Sequence, residues 1–393
     1  MSEGFKGKRV LMLSWEYPPK IVGGLARVVH ALSHELAALG CEVHVVTSDH
    51  PETAQYELDG AVHVHRVKNQ TDWTPDFMFW VHRLNFGLLQ TALELQLAGS
   101  FDIIHAHDWL VSDAAWVMKT SFDLPLVCTI HATEQGRSQG LHNDTQRYIN
   151  QIEWRLIFES REVIVNSAPM VRDLREQLNV PEGKVNVIPN GIYADRLLST
   201  DSKLAVRSKH GLADGPVILF VGRLVYEKGV QVLLRSAPAV LHRFPNATFI
   251  IAGEGGYRPD LQHLAGMLNV HERVRFFGKA NDADLRELYR IADVAVVPSL
   301  YEPFGIVVLE AMATRVPVVC SNSGGLNDIV THMQNGIKTD AGDEGQLAAA
   351  IQMVLADFEL ADRLRRAALD HVTSNYSWRA IASRTLALYE KVS

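Results

Sequence analysis

The run Val217-Ile218-Leu219-Phe220-Val221-Gly222-Arg223-Leu224-Val225-Tyr226-Glu227-Lys228-Gly229 decides the fold. Its first five residues are apolar without interruption, as a strand covered on both faces requires. A glycine and two cations follow, and a helical pattern then covers 229–243. Strands that feed helices in this way build parallel sheets, because a parallel neighbour can be reached only by a crossover. Toward the C-terminus the alternation continues, with strands expected over 248–252, 274–277, 294–297 and 318–320. Helices are expected between them, then over 344–357, 360–374 and 378–389. Toward the N-terminus, the polar stretch 197–215 lacks a strong strand and reads as a linker. Before it the same alternation runs once already. Strands are expected over 9–14, 43–47, 61–67 (an exposed one), 103–105, 126–130, 163–165 and 185–188. Helices are expected over 25–39, 76–98, 109–119, 146–158 and 168–178. Two consecutive sets predict an α/β protein of two doubly wound parallel-sheet, Rossmann-like domains. Ligands of such sheets bind at strand carboxyl ends, and a cleft between the two domains is the default site.

Composition narrows the class. The 393 residues are 47% hydrophobic and 21% charged, ample for two cores. The net charge is −7 and no basic block occurs, which disfavours nucleic acid as a partner. Cys41, Cys128 and Cys320 are few and scattered, as buried free thiols of a reducing compartment are. The apolar run near the N-terminus is too short for a signal peptide, and no run approaches the ~18 residues of a membrane span. These features predict a cytoplasmic protein with no integral membrane segment.

Five segments carry candidate chemistry. Glu16 through Gly23-Gly24 links the first strand to a helix, whose N-terminal N–H groups suit an anion. The spacing is not G-x-G-x-x-G, so no dinucleotide fingerprint is present. Arg223 and Lys228, at the end of the strand over 217–221, suit a diphosphate by charge and by arginine's fork. In Glu302-Pro303-Phe304-Gly305-Ile306-Val307-Val308-Leu309-Glu310, Pro303 fits a helix's first turn. Glu302 then points into the cleft, and Gly305, Ile306 and Val307 offer N–H groups. Glu310 follows about two turns later among apolar residues, where a hydroxyl-rich ligand such as ribose accounts for a carboxylate. Histidines number 17. His63/His65 and His105/His107 are spaced to share a strand face, yet no further Cys, His or carboxylate set completes a metal site by spacing, and no HExxH occurs. His107-Asp108-Trp109 and Thr129-Ile130-His131 instead end two strands, where ligand contacts belong.

Together, YPPKIVGGLARVV, HAHDW, TIH, VNS, VIPNGI, FVGRLVYEKG, IAGEG, EPFGIVVLEAMA and SNSGGL occur in one order over nearly the whole chain. This constellation resembles the retaining nucleotide-sugar glycosyltransferases of the GT-B fold, in particular family four (group 1) and its family-five relatives, the glycogen and starch synthases. The resemblance implies an N-terminal acceptor-side domain at 1–195 and a C-terminal donor-binding domain at 196–375. A terminal helix at 376–393 would cross back to the first domain. It implies a donor site of Gly23, Gly24, Arg223, Lys228, Gly253, Glu254, Glu302, Phe304, Gly305, Ile306, Val307 and Glu310. Gly24 would lend its N–H to the diphosphate, which Arg223 and Lys228 neutralise as it leaves. Glu310 would hold the ribose and Glu302 the donor sugar. His131 would lie near the reacting carbon, making His131, Arg223, Lys228 and Glu302 the catalytic set. Glu16, Asp108 and Trp109 would lie on the acceptor side.

The implied reaction moves a hexosyl group, glucosyl first, from a UDP- or ADP-sugar to an acceptor hydroxyl with retention, without metal or cofactor. An α-1,4-glucan is the leading acceptor; small-molecule, lipid and cell-surface glycan acceptors are alternatives. A nucleotide-sugar epimerase or hydrolase would use the same pocket without an acceptor. Two departures bear on the acceptor. The lysine loop reads Lys20-Ile21-Val22-Gly23-Gly24-Leu25, one residue longer than the synthases' K-x-G-G-L, and TIH continues as Ala132-Thr133-Glu134.

Overall fold

The computed structural model describes residues 7–68, 76–181, 183–212 and 214–392. The outermost ends of the expected first domain and terminal helix, residues 1–6 and 393, lie outside them, as does residue 213 of the expected linker. The chain packs as two compact units. One comprises Met1–Gly191 with Trp378–Ser393, the other Ile192–Ser377.

The first unit is built on eight strands: β1 (Arg9–Leu13), β2 (Glu42–Ser48), β3 (Tyr56–Asp59), β4 (Val62–Val67), β5 (Ile103–His107), β6 (Leu126–Ile130), β7 (Glu162–Val165) and β8 (Val185–Val187). Their order across the sheet is β3-β4-β2-β1-β5-β6-β7-β8. Only the β3–β4 hairpin is antiparallel. The order reverses at β1, so β1 and β5 are neighbours that diverge in connection, which leaves a crevice at their carboxyl ends. β4 differs from its expected exposed character. Val62, Val64 and Val67 are buried: β3 extends the sheet beyond residues 62–65, and Val67 packs with Leu84 and Leu88 of helix Phe77–Ala98. β3 itself, Tyr-Glu-Leu-Asp, has no strand signal in its composition and was not anticipated. Helix Trp378–Val392 packs in this unit. The Tyr389 hydroxyl lies 2.6 Å from His105 Nδ1, and Trp378 lies so close to Gly191 that a Cβ there would come within 2.7 Å of its ring.

The second unit has six strands, all parallel: β9 (Val217–Val221), β10 (Thr248–Ala252), β11 (Val274–Gly278), β12 (Val294–Val297), β13 (Val318–Ser321) and β14 (Ile337–Thr339). Their order is β11-β10-β9-β12-β13-β14. β9 is apolar throughout because each face has its own core. Val217 and Leu219 pack with Val308 and Met312, while Ile218 and Phe220 pack with Leu233 and Val240. The switch point here lies between β9 and β12. Two expectations are corrected. The 197–215 stretch contains helix Lys203–Lys209, capped by the Ser202 hydroxyl and anchored by buried Val206 and by Lys203 on Asp293 at 2.6 Å. One buried apolar position in seven residues is too weak a period to read in sequence. Pro303 does not enter a helix. The helix starts at Ile306, after Gly305 takes φ 110°.

Candidate active site

At the β9/β12 switch point, the two loops that follow these strands are locked together. Leu300 N–H donates to Glu227 O at 2.8 Å, and a Cβ on Gly229 would come 1.9 Å from Pro298 O. This approach brings Lys228 and Glu302 together across 74 residues. The Lys228 ammonium donates to Glu302 Oε2 at 2.7 Å, and the Ser299 hydroxyl donates to the same oxygen at 3.1 Å. Glu302 is 9% exposed, so it is a paired carboxylate and not a bare one. Gly324 and Gly325 of the SNSGGL element support it from behind. Gly325 N–H donates to Glu302 O at 2.8 Å, and a Cβ on Gly324 would fall 2.1 Å from that carbonyl. Arg223 is exposed, with a loose contact to Glu227 at 3.5 Å.

Helix Ile306–Ala313 begins four residues after Glu302. The N–H groups of Ile306 and Val307 fall in its first turn, where no intrahelical acceptor exists. Glu310 is 6% exposed, and its Oε2 accepts from the Tyr289 hydroxyl at 2.8 Å. Phe304 is expected at the donor, but its ring is buried in the core beside Tyr376, so only its backbone faces the loop. Gly253 and Glu254 form the floor. Gly253 N–H donates to Gly278 O at 2.8 Å, Glu254 O accepts from Leu224 N–H at 2.8 Å, and the Glu254 side chain is exposed.

In the first unit the ends of β1, β5 and β6 hold the other candidates. Glu16 is 1% exposed and turns inward, taking the N–H groups of Val22 at 2.6 Å and Gly23 at 3.3 Å. Burial pushes its pKa up, against the pull of those N–H groups. It therefore shapes the glycine loop from beneath. Gly23 caps helix Gly24–Ala38, and Gly24, in its first turn, is exposed. Asp108 is buried with φ 62° and ψ 172°, a backbone region nearly reserved for glycine. Its Oδ1 accepts from His131 N–H at 2.7 Å. His131 Nε2 lies 3.1 Å from His107 Nδ1. Burial lowers the pKa of His131, with Asp108 and Asn166 opposing, and lowers that of His107 still further. In this set the Asp108 backbone is strained, and burial disfavours the charged form of both imidazoles. Trp109 is not with it. Trp109 is 3% exposed and packs with Val81, Leu110, Ile149 and Ile152, since the chain turns inward after Asp108.

Several supporting residues escape sequence reading. Tyr289 orients Glu310 from another helix, and Ser299 orients Glu302 from three residues earlier in the same loop. Asn166 and Asn190, in the VNS and PNG elements, bond each other at 3.1 Å behind the histidines. Glu153 is buried beneath Glu134 N–H and Arg137, its pKa raised to about 8 by burial. Apart from Ser299, spacing carries no signal for these pairings, which depend on how separate elements pack. Among the described residues, two further groups gather that the pairs His63/His65 and His105/His107 did not announce: His30, His34 and Asp59, and Glu42, His44 and His63.

The chain is similar to known proteins over nearly its whole length. The glycosyl transferases group 1 family profile matches residues 202–371, and that of glycosyltransferase family 4 matches residues 22–196. An uncharacterized glycosyltransferase of Methanocaldococcus jannaschii is 38% identical, over 97% of this chain and 98% of its own. A glycogen synthase of Mycobacterium tuberculosis is 37% identical, over 97% of this chain and 94% of its own. The sucrose-phosphate synthase structure from Thermosynechococcus elongatus superposes with a TM-score of 0.87 at 26% identity, covering 98% of both chains. Among the described residues no helix is long and apolar enough to cross a membrane. The chain belongs to the group 1, family 4 glycosyltransferases and carries their GT-B fold.

Proposed function

We propose that the protein transfers a hexosyl group, glucosyl first, from a UDP- or ADP-sugar to an acceptor hydroxyl with retained configuration. The observation that carries this reading is the Lys228–Glu302 pair at 2.7 Å, beside the first turn of helix Ile306–Ala313. A cation, a carboxylate and N–H groups converge there, each suited to a different part of one ligand. Lys228 and Arg223 take the diphosphate, as do the N–H groups of Ile306 and Val307. Glu302 takes hydroxyls of the donor sugar. Glu310, set by Tyr289, takes the ribose. In the reaction the bond from the anomeric carbon to the diphosphate oxygen breaks and a bond to the acceptor oxygen forms. The acceptor proton passes to the leaving diphosphate. Cations already placed at that diphosphate stabilise growing charge without reorganisation, so no metal is needed.

His131, whose charged form burial disfavours, suits a hydroxyl as a hydrogen-bond partner, and Asp108, which accepts from its N–H, is assigned to the acceptor. The glycogen synthase relative supports an α-1,4-glucan acceptor. The sucrose-phosphate synthase neighbour, named for a small product, supports a small-molecule acceptor as the second reading. A screen of UDP- and ADP-sugars against glucan and small acceptors, scored by nucleoside diphosphate release with and without excess EDTA, tests the proposal. Release that needs both a donor and an acceptor and survives EDTA is expected. Epimerised or hydrolysed donor without acceptor, or activity restored only by magnesium or manganese, would overturn it.

A further inference from the structure

Helix Gly24–Ala38 turns two histidines toward the β3–β4 hairpin. His30 and His34 stand at i and i+4, so their rings project from one face, with centroids 4.3 Å apart. Asp59, the last residue of β3, lies opposite. Its Oδ2 is 3.3 Å from His30 Nε2 and 3.1 Å from His34 Nε2. The buried Tyr17 hydroxyl donates to the same oxygen at 2.9 Å and fixes the carboxylate's orientation. Gly60 follows Asp59 at φ 62°, and a Cβ there would lie 3.1 Å from the His34 ring, so the hairpin closes against the histidines. The three side chains are about equally open to solvent, at 28%, 27% and 34%.

This spacing has a specific chemical meaning. Metal bonds of about 2.0–2.1 Å at tetrahedral angles separate ligand atoms by about 3.3 Å, the separation found on both histidine–carboxylate edges. Two imidazoles and one carboxylate make a donor set for zinc and its first-row neighbours, not for calcium or magnesium. Tyr17 serves as the outer partner that orients the carboxylate. The partial exposure leaves room for water as a further ligand. We infer that His30, His34 and Asp59 form a binding site for one divalent transition-metal ion of the zinc class. Such an ion ties the helix that begins at the Gly23–Gly24 loop to the hairpin at the edge of the sheet. None of these three residues is assigned to donor or acceptor, so the inference stands independently of the transfer reaction.

The second cluster is a built-in contrast. His44 Nε2 lies 2.8 Å from Glu42 Oε1, and its ring stacks on His63 at 4.5 Å. However, the Arg9 guanidinium already occupies it, with Nη2 3.2 Å from His44 Nε2 and Nε 2.8 Å from Glu42 Oε1. A fixed cation at the donor atoms repels a second one, so this cluster is a hydrogen-bonded network.

Metal-stripped full-length protein, dialysed against micromolar Zn2+, is expected to retain one equivalent by elemental analysis. Co2+ is expected to give the intense visible bands of low coordination number. Zinc is also expected to raise Tm by a few degrees, since it binds the folded state preferentially. Both His34→Gln and Asp59→Asn should abolish uptake, the Co2+ bands and the Tm rise, while His44→Gln should keep all three. Circular dichroism of the zinc-free variants checks that they fold; Asp59→Asn, which keeps the side chain's shape and an acceptor for Tyr17, serves if His34→Gln does not. No uptake by the wild type, uptake unchanged in a folded His34→Gln or Asp59→Asn, or uptake lost in His44→Gln would each overturn the assignment.

Discussion

The strand ends of the two units solve opposite problems. At β9 and β12 the side chains are charged and compensated: Lys228 on Glu302, Arg223 open to solvent. At β5 and β6 burial disfavours the charged form of His107 and His131, and the carboxylate beside them, Asp108, is buried on a strained backbone and accepts from His131 N–H. The first arrangement suits a ligand whose charge grows during reaction, because fixed cations interact more strongly as it does. The second suits hydroxyls, which need hydrogen bonds in fixed directions. On the proposed reading, the donor side would be specified by charge and the acceptor side by geometry.

The largest effect should come from breaking the charged end. Lys228→Ala is expected to lower kcat by about 10²–10³, on the order of one lost oxyanion-type donor, while weakening nucleotide-sugar binding far less. Part of that loss belongs to Glu302, left buried without its partner, so the double variant with Glu302→Gln should be far from additive. Arg223→Ala should have the same sign and a smaller size, since its side chain is 45% exposed. Steady-state kinetics with equilibrium binding on all three would decide. Near-full kcat in both single variants would make these cations ordinary surface charges.

The uncharged end should reveal itself in the pH dependence of stability. His105 is buried between the Tyr389 hydroxyl and Thr129 Oγ1. Burial, with His131 adding to it, pushes its pKa down to about 3. An unfolded histidine titrates near 6.5. Between these values the unfolded chain binds a proton that the native state refuses, so stability is full above about pH 6.5 and falls as pH drops. The slope contributed by this one group approaches about 1.4 kcal/mol per pH unit. Urea unfolding at pH 7, 6, 5 and 4 is expected to show that decline, and His105→Asn to make it shallower. An unchanged slope would mean that His105 already accepts its proton in the fold.

Legibility in the sequence followed the same divide. Long apolar runs and strongly periodic helices could be read nearly to the residue: β6, β9, β10, β12 and helix Ala168–Leu178 lie where expected. Short elements held by few contacts could not. β3 alternates exposed and half-buried positions, β14 has three residues with a lysine in the middle, and helix Lys203–Lys209 buries one valine. Among site residues, those fixed by local backbone were visible as loops between strand and helix. Their partners were not. Lys228 meets Glu302, Tyr289 meets Glu310 and His44 meets His63 because strand order brings distant segments together. Trp109 was misplaced because an aromatic after a strand end can turn either way, and an apolar cluster was waiting on the inner side.

The two glutamates of the donor end sharpen the comparison further. Glu310 is assigned to the ribose, which does not react, so its contact is nearly equal in ground and transition states. Glu310→Gln should mainly raise donor KM, by roughly tenfold or more at about 1.5–3 kcal/mol per charged hydrogen bond. Tyr289→Phe, which removes the hydroxyl bonded to Glu310 at 2.8 Å, should move KM the same way by less. Glu302→Gln should lower kcat with donor affinity little changed. A kcat defect confined to Glu310→Gln would mean that the two roles are reversed.

The smallest effect tests whether Asp108 is held under strain for its position. Asp108→Ala and Asp108→Gly both remove the carboxylate that accepts from His131 N–H at 2.7 Å, so that loss cancels in the comparison between them. What remains is the backbone. At φ 62° and ψ 172° a Cβ costs about 1–3 kcal/mol, and glycine is relieved of it. Glycine carries the opposing handicap of a more flexible unfolded chain, about 0.4–1 kcal/mol. The glycine variant should therefore be the more stable of the two by about 1 kcal/mol, a reversal of the usual order. Both should transfer sugar poorly, because the carboxylate assigned to the acceptor is gone. Asp108→Asn keeps the hydrogen bond and the strain together, so its stability should stay near that of the wild type. Equal stability of the alanine and glycine variants would mean that the backbone relaxes at no cost, and that Asp108 is set by its hydrogen bond alone.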